Sequence, residues 1–178
     1  MVNVTHTDKL GRVAEDLVVI KLSSLFEDCI VSQVTNNQLH DVEIRKSDEK
    51  LTERICKIQV KATNSKQTRG AREAYFITIH HGAGMGSGKK ENYKRGDVDF
   101  FIFYVFPPAA HYVIPDEAIR GSLGTTLYAG LPKPHGAKYE KYLDAWPLIT
   151  DFLGLPAKEE KTINNTLHST LDRTLAKF

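Results

Sequence analysis

Two short stretches hold the side chains best suited to chemistry. HDVEIR at 40–45 and KIQVKA at 57–62 both alternate polar with apolar residues, and in an extended strand successive side chains point to opposite faces. Val42 and Ile44 then share one face, with Asp41, Glu43 and Arg45 on the other. Ile58, Val60 and Ala62 likewise separate from Lys57, Gln59 and Lys61. If the two strands are neighbours, a carboxylate, an amide oxygen and an ammonium converge. Oxygen donors of that kind hold a hard divalent cation, and a lysine beside them can align or deprotonate a water. A polar strand face turned to solvent accounts for the same alternation, so the pattern alone does not choose between them.

A further carboxylate, Glu15, falls in DKLGRVAEDLVVIKLSSLF, residues 8–26, whose apolar spacing predicts a first helix with Asp8 as candidate cap. Glu15 shares a helical face with Val19, Leu22 and Phe26. A buried carboxylate without a partner is costly. It either reaches the cation and Lys61 or lies at the stripe edge with its carboxylate in solvent.

Three strands in an antiparallel run are expected from CIVSQV, HDVEIR and RICKIQVKA, with a turn at Asn36–Asn37. A basic linker follows, and then AYFITIHH and VDFFIFYVF flank a glycine-rich loop. VDFFIFYVF is apolar on both faces, as a central strand should be. HYVIP reads as a short strand before a helical turn at DEAIRG, and AKYEKYLDAWPLITDFL as helix on either side of Pro147. Ile163, Leu167, Leu171, Leu175 and Phe178 predict an amphipathic C-terminal helix. These elements compose one domain over 1–178, with a core at about 8–115 and a helical extension at about 116–178.

The loop HGAGMGSGKKENYKR, residues 81–95, invites comparison with a phosphate cradle. That motif needs Gly, four residues, then Gly-Lys-Ser/Thr opening a helix. Here the frame is Ala83, four residues, Gly88, Lys89 and Lys90, and a strand follows soon after. A bound nucleotide is therefore not expected. A solvated hairpin tip explains the glycines, and its basic edge is equally suited to contact with DNA phosphate.

The net charge is only +2 over 178 residues, so any nucleic-acid surface must come from local clusters. Lys66, Arg69 and Arg72 form one cluster; Lys89, Lys90, Lys94 and Arg95 form another. Asp97 and Asp99 make a second acidic pair at a strand entrance, read here as a turn with its cap. His80 and His81, adjacent on a strand, must face opposite ways and suit DNA or solvent better than zinc. Cys29 and Cys56 have apolar neighbours and no CxxC spacing, which suits reduced, half-buried thiols. The N-terminus carries neither a basic leader nor an apolar core, and no stretch approaches the roughly 20 apolar residues of a membrane span. A cytoplasmic protein is the expectation.

In their order along the chain, GRVAEDLVVIKLSSLF, HDVEI and IQVKAT resemble the PD-(D/E)XK nuclease superfamily, over about residues 11–114. The resemblance implies an α/β fold, restriction-endonuclease-like, with an αβββαβ core, a mixed central sheet and additional C-terminal helices. Carried over, Glu15 matches the helix acid, Asp41 the metal-binding aspartate, Gln59 the second metal-ligand position and Lys61 the catalytic lysine. His40 stands where the motif has proline, and Gln59 where it has an acid. This QxK version resembles the active sites of some intron-encoded homing endonucleases. The implied activity is Mg²⁺-dependent hydrolysis, with Mn²⁺ as a substitute, of phosphodiester bonds in double-stranded DNA at specific sequences, of restriction or homing type. The basic clusters would contact the DNA, with Arg69, Arg72 and Arg95 suited to guanine edges. Cleavage of both strands implies a homodimer, with the C-terminal helices as interface. A junction-resolving nuclease and a catalytically inactive DNA-binding module of the same fold are the alternatives.

Overall fold

The computed structural model describes residues 6–34, 38–47, 53–69, 72–82 and 90–156. The first helix, α1 (His6–Leu25), buries Ala14, Val18, Leu22 and, just past its end, Phe26. Leu22 and Phe26 are buried as the expected face requires, while Ala14 and Val18 are buried in place of Glu15 and Val19, which are only partly buried. The run Leu17–Ile20 is apolar throughout, so periodicity allows several faces, and packing selects the one centred on Val18. Val13, Leu17 and Ile20 stay exposed, and Glu15 sits at the stripe edge, partly buried.

Strands β1 (Ile30–Gln33), β2 (Val42–Ser47) and β3 (Glu53–Thr63) form the expected antiparallel run, with Val31 opposite Ile44 and Val42 opposite Ile58. The chain then leaves the sheet. The segment expected to be a basic linker contains strand β4 (Lys66–Arg69), which pairs with β5 (Arg72–Thr78). Two short strands follow, β6 (His81–Gly82) and β7 (Lys90–Glu91), paired antiparallel. Lys90 thus stands in a strand and not in the first turn of a helix. β8 (Phe100–Val105) returns parallel to β3, with Lys61 opposite Phe103, and β9 (Ala110–Pro115) pairs antiparallel with β8. The result is a five-stranded mixed sheet in the order β1-β2-β3-β8-β9. The β3-to-β8 crossover is made of strands among the described residues, where the αβββαβ order implies a helix.

After α2 (Asp116–Ile119), β10 (Gly124–Leu127) joins β5 and β4 in a separate three-stranded sheet. Residues 137–146, expected to be helical, contain only a 3-10 turn at Glu140–Tyr142. Glu140 is held there by the Tyr112 hydroxyl and the Tyr128 amide, both donating to its Oε1 at 2.9 Å. Helix α3 (Pro147–Leu153) starts at the proline, whose missing N–H is harmless in a first turn. It ends on Gly154 with φ of 61°, the left-handed conformation that glycine adopts most readily. The amphipathic pattern at 163–178 lies outside the described residues.

Each face of the five-stranded sheet carries a core. On one, α1 and α3 cover Val42, Ile44, Ile58, Val60, Phe100 and Ile102. On the other, Phe101, Phe103, Tyr112 and Ile114 pack with Tyr75, Ile77, Tyr93 and Leu127. β8 is buried along its whole length, as its two apolar faces predict. Burying one large apolar side chain stabilises by about 2 kcal/mol, so this strand anchors its parallel neighbour β3 and hence Gln59 and Lys61. Cys56 is fully buried and not half-buried as expected, whereas Cys29 is partly exposed. Among the described residues no helix is long and apolar enough to cross a membrane.

Candidate active site

Asp41 stands just before β2 and is fixed through its backbone. Its N–H donates to the Ile58 carbonyl at 2.9 Å, and its carbonyl accepts from the Val34 N–H at 2.8 Å. The side chain is held as firmly. Oδ2 accepts from the Val60 N–H at 2.8 Å and from Nε2 of Gln59. That same nitrogen donates to the Val60 carbonyl at 3.0 Å. Both partners are acceptors, so the nitrogen must face them. The amide oxygen of Gln59 is left on the opposite arm of its planar carboxamide.

Lys61 follows two residues along the same strand face. Burial lowers its proton affinity, and the charges of Asp41 and Glu15 oppose that shift. Burial pushes the Glu15 carboxyl up to about 7, reinforced by Asp41 and Asp16 and opposed by Arg12 and Lys61. Burial raises Asp41 as well, against the Val60 N–H, Lys61, His40 and Gln59. The four residues expected at the site, Glu15, Asp41, Gln59 and Lys61, therefore come together, two carboxylates acting on one ammonium.

This donor set fits a hard divalent cation. Two carboxylates whose proton affinity is raised chiefly by burial are hard oxygen donors, and the Gln59 oxygen adds a neutral one. Among the described residues no three His, Cys, Asp or Glu side chains form a metal-binding group, so an ion at this place would need the amide oxygen as well as Asp41 and Glu15.

Two neighbours have contacts that the sequence motif does not announce. His40, buried beside Asp41, meets Glu43 Oε1 through Nε2 at 2.8 Å, and Arg45 Nε donates to Glu43 Oε2 at 2.9 Å. Arg45 also reaches Glu53 at 3.4 Å. Burial pushes the Glu43 carboxyl up, but His40 and Arg45 outweigh it and hold the group below its usual range. The second is Tyr93, whose ring centroid lies 5.7 Å from the Lys61 ammonium. It belongs to the loop that sequence inspection singles out for its glycines and lysines.

The proposed DNA contacts are placed unevenly. Lys66, Arg72, Lys94 and Arg95 are exposed, with Lys66 paired to Glu73 at 3.5 Å. Arg69 and Lys90 contribute backbone to β4 and β7; their side chains, and Lys89 altogether, lie outside the described part. Lys94 and Arg95 follow Tyr93 directly, which ties them to the wall of the site. Asp97 and Asp99 serve as caps: Asp97 Oδ2 accepts from the Lys94 N–H at 2.6 Å, and Asp99 Oδ2 from the Lys57 N–H at 2.8 Å. The His81 ring packs on Tyr93.

No protein-family model matches the sequence, and no curated protein matches it. By structure, the chain matches a bacterial homing endonuclease, I-Ssp6803I, with a TM-score of 0.63 and 19% sequence identity over 83% of this chain and 95% of that one. The mixed five-stranded sheet with its helices thus shares the fold of that endonuclease.

Proposed function

We propose that the protein is a divalent-cation-dependent endonuclease that hydrolyses phosphodiester bonds in double-stranded DNA at specific sequences. The observation that carries this reading is the Asp41 carboxylate, fixed by Gln59 and the Val60 N–H, facing Lys61 and Glu15. Asp41, the Gln59 oxygen and Glu15 would hold a magnesium or manganese ion, whose chemistry would be to polarise a phosphoryl oxygen and make a nearby water more acidic.

The chain's own residues do the positioning. Gln59 and Val60 fix the direction in which Asp41 presents its second oxygen. Lys61 donates hydrogen bonds to a water or a phosphate oxygen, and its lowered proton affinity lets it release a proton more readily than a solvated lysine. In-line attack forms a new phosphorus–oxygen bond from that water as the bond to the leaving oxygen breaks, and holding the partners aligned supplies much of the rate. Lys94, Arg95 and Arg72 neutralise phosphates and steer the duplex. A symmetric homodimer sets two such sites against the two strands.

The neutral ligand at Gln59 favours one second reading, a DNA-binding module of the same fold that does not cut. Purified wild type and Lys61→Ala, incubated with plasmid and phage DNA in Mg²⁺ or in EDTA, separate the two. Discrete fragments from wild type in Mg²⁺ alone support the endonuclease. Gel shifts by both proteins without cleavage support the binding module, and equal cleavage by both rules out the role given to Lys61.

A further inference from the structure

Tyr93 lies between β7 and β8 and is only 6% exposed. Two aromatic contacts fix its plane. His81 meets it edge-on, with centroids 4.9 Å apart and 70° between planes; Phe101 does so at 5.0 Å and 85°. Phe101 stands opposite Gln59 in the β3–β8 register, and it stacks on Phe103, which stands opposite Lys61. The ring is thus locked to the strand pair that carries the site.

Lys61 Nζ lies 5.7 Å from the centroid of this ring, within the range at which an aromatic face attracts an ammonium. Lysine is a long chain with a point charge, and nothing in its own stem fixes where that charge sits. Burial works against the charge. A fixed aromatic face offers a favourable surface for it, while Asp41 and Glu15 attract it from their own positions. Burial and the charge of Asp41 hold the Tyr93 phenol well above its usual range, so the ring stays neutral.

We propose that Tyr93 is a positioning residue, whose ring face holds the Lys61 ammonium in the place from which it serves the scissile phosphate. This rests on the endonuclease reading for its consequence but not for its geometry. The ring acts, and the hydroxyl is dispensable. The glycine-rich loop thereby gains a role other than phosphate cradling: its C-terminal stem delivers an aromatic residue to the catalytic lysine.

The test combines an NMR readout with cleavage. In protein labelled with ¹³C at lysine Cε, the Lys61 signal is assigned by its absence in Lys61→Ala. A proton above an aromatic ring is shifted upfield, so the Lys61 ε-methylene should lie upfield of the other lysines. Tyr93→Phe keeps that shift and cleaves like wild type. Tyr93→Leu loses the shift and slows single-turnover cleavage by about tenfold or more, because small misplacements of a reacting group are costly, while DNA affinity in EDTA is unchanged. In the Lys61→Ala background, Tyr93→Leu produces no further loss. An unshifted Lys61 signal in wild type overturns the proposal even if Tyr93→Leu fails to fold. So does a Phe variant as impaired as the Leu variant, or a Leu variant that cleaves normally. If wild type itself does not cut DNA, the endonuclease reading fails, and the Lys61 signal still decides whether the ring holds the ammonium.

Discussion

Gln59 turns its amide nitrogen toward Asp41 and the Val60 carbonyl, which leaves its oxygen as the group it can offer to a ligand. A glutamine at this position does two things that a glutamate cannot do together. It donates to the neighbouring carboxylate, and it still presents an oxygen. The site therefore holds its geometry through its own hydrogen bonds.

The exchange Gln59→Glu removes that donor and sets two acceptors against Asp41 Oδ2 and the Val60 carbonyl. Without divalent cation the variant should be less stable than wild type by about 1–3 kcal/mol, the cost of leaving a buried polar group unsatisfied. Added Mg²⁺ should recover most of the loss, because a cation screens the two carboxylates. Urea unfolding in EDTA and in Mg²⁺ measures both. Equal stability in EDTA would show that the Gln59–Asp41 bond does not organise the site.

Glu15 gives the stability a pH dependence with a definite sign. Its carboxyl is raised from 4.5 in the unfolded chain to about 7 in the fold. Between those values the folded protein holds a proton that the unfolded chain has released, so stability falls as pH rises from 4.5 to 7 and then levels. Glu15→Gln should remove this slope, leaving the variant more stable than wild type at pH 8 and equal to it at pH 4. One pKa unit corresponds to about 1.4 kcal/mol, but Glu15 is only partly buried and solvent screens it, so a gain of about 1 kcal/mol is expected. Urea midpoints across that range check it, and parallel curves for the two proteins would refute it.

Glu43 behaves in the opposite sense. His40 and Arg45 hold its carboxyl below 4.5, so its stabilising contribution is present above that pH and is lost as pH falls through it. Glu43→Gln should therefore be less stable than wild type at pH 7, by a margin that narrows below pH 4.5. Acid unfolding followed by circular dichroism reads that margin directly; one that does not change with pH would mean that the His40–Glu43–Arg45 chain carries no net charge stabilisation.

What could be read from sequence here follows the range of the interactions. Alternation in β2 and β3 sorts their side chains correctly because strand period is a local property; Val42, Ile44, Ile58 and Val60 are all buried on the α1 face. β4 was hidden in a polar, basic run because its pairing partner β5, and not its own composition, makes it a strand. The helix expected at 137–146 gives way to tertiary bonds from Tyr112 and Tyr128 to Glu140. The first half of the α1 stripe shifts to Ala14 and Val18 where four consecutive apolar side chains leave the face undetermined. The contact of Tyr93 with Lys61 arises from the β7–β8 connection meeting β3, and no spacing along the chain announces it.

The exposed cations should differ in what they contribute to DNA binding. Each phosphate neutralised adds about 0.9 to the slope of log affinity against log salt, through counterion release. Lys94 and Arg95 are exposed and follow directly on the residue that contacts Lys61, whereas Lys66 already pairs with Glu73. Lys94→Ala and Arg95→Ala should each weaken binding and lower the salt slope by roughly 1, and Arg72→Ala should do the same where β5 begins. Lys66→Ala should change the slope less, because its charge is partly met within the protein. If any of these arginines reads guanine, its variant should also relax sequence preference at one position of the site, which a phosphate contact cannot do. Fluorescence anisotropy with a duplex titrated at several salt concentrations in EDTA gives the slopes independently of cleavage. Unchanged slopes for Lys94→Ala and Arg95→Ala would place the DNA on another face of the sheet.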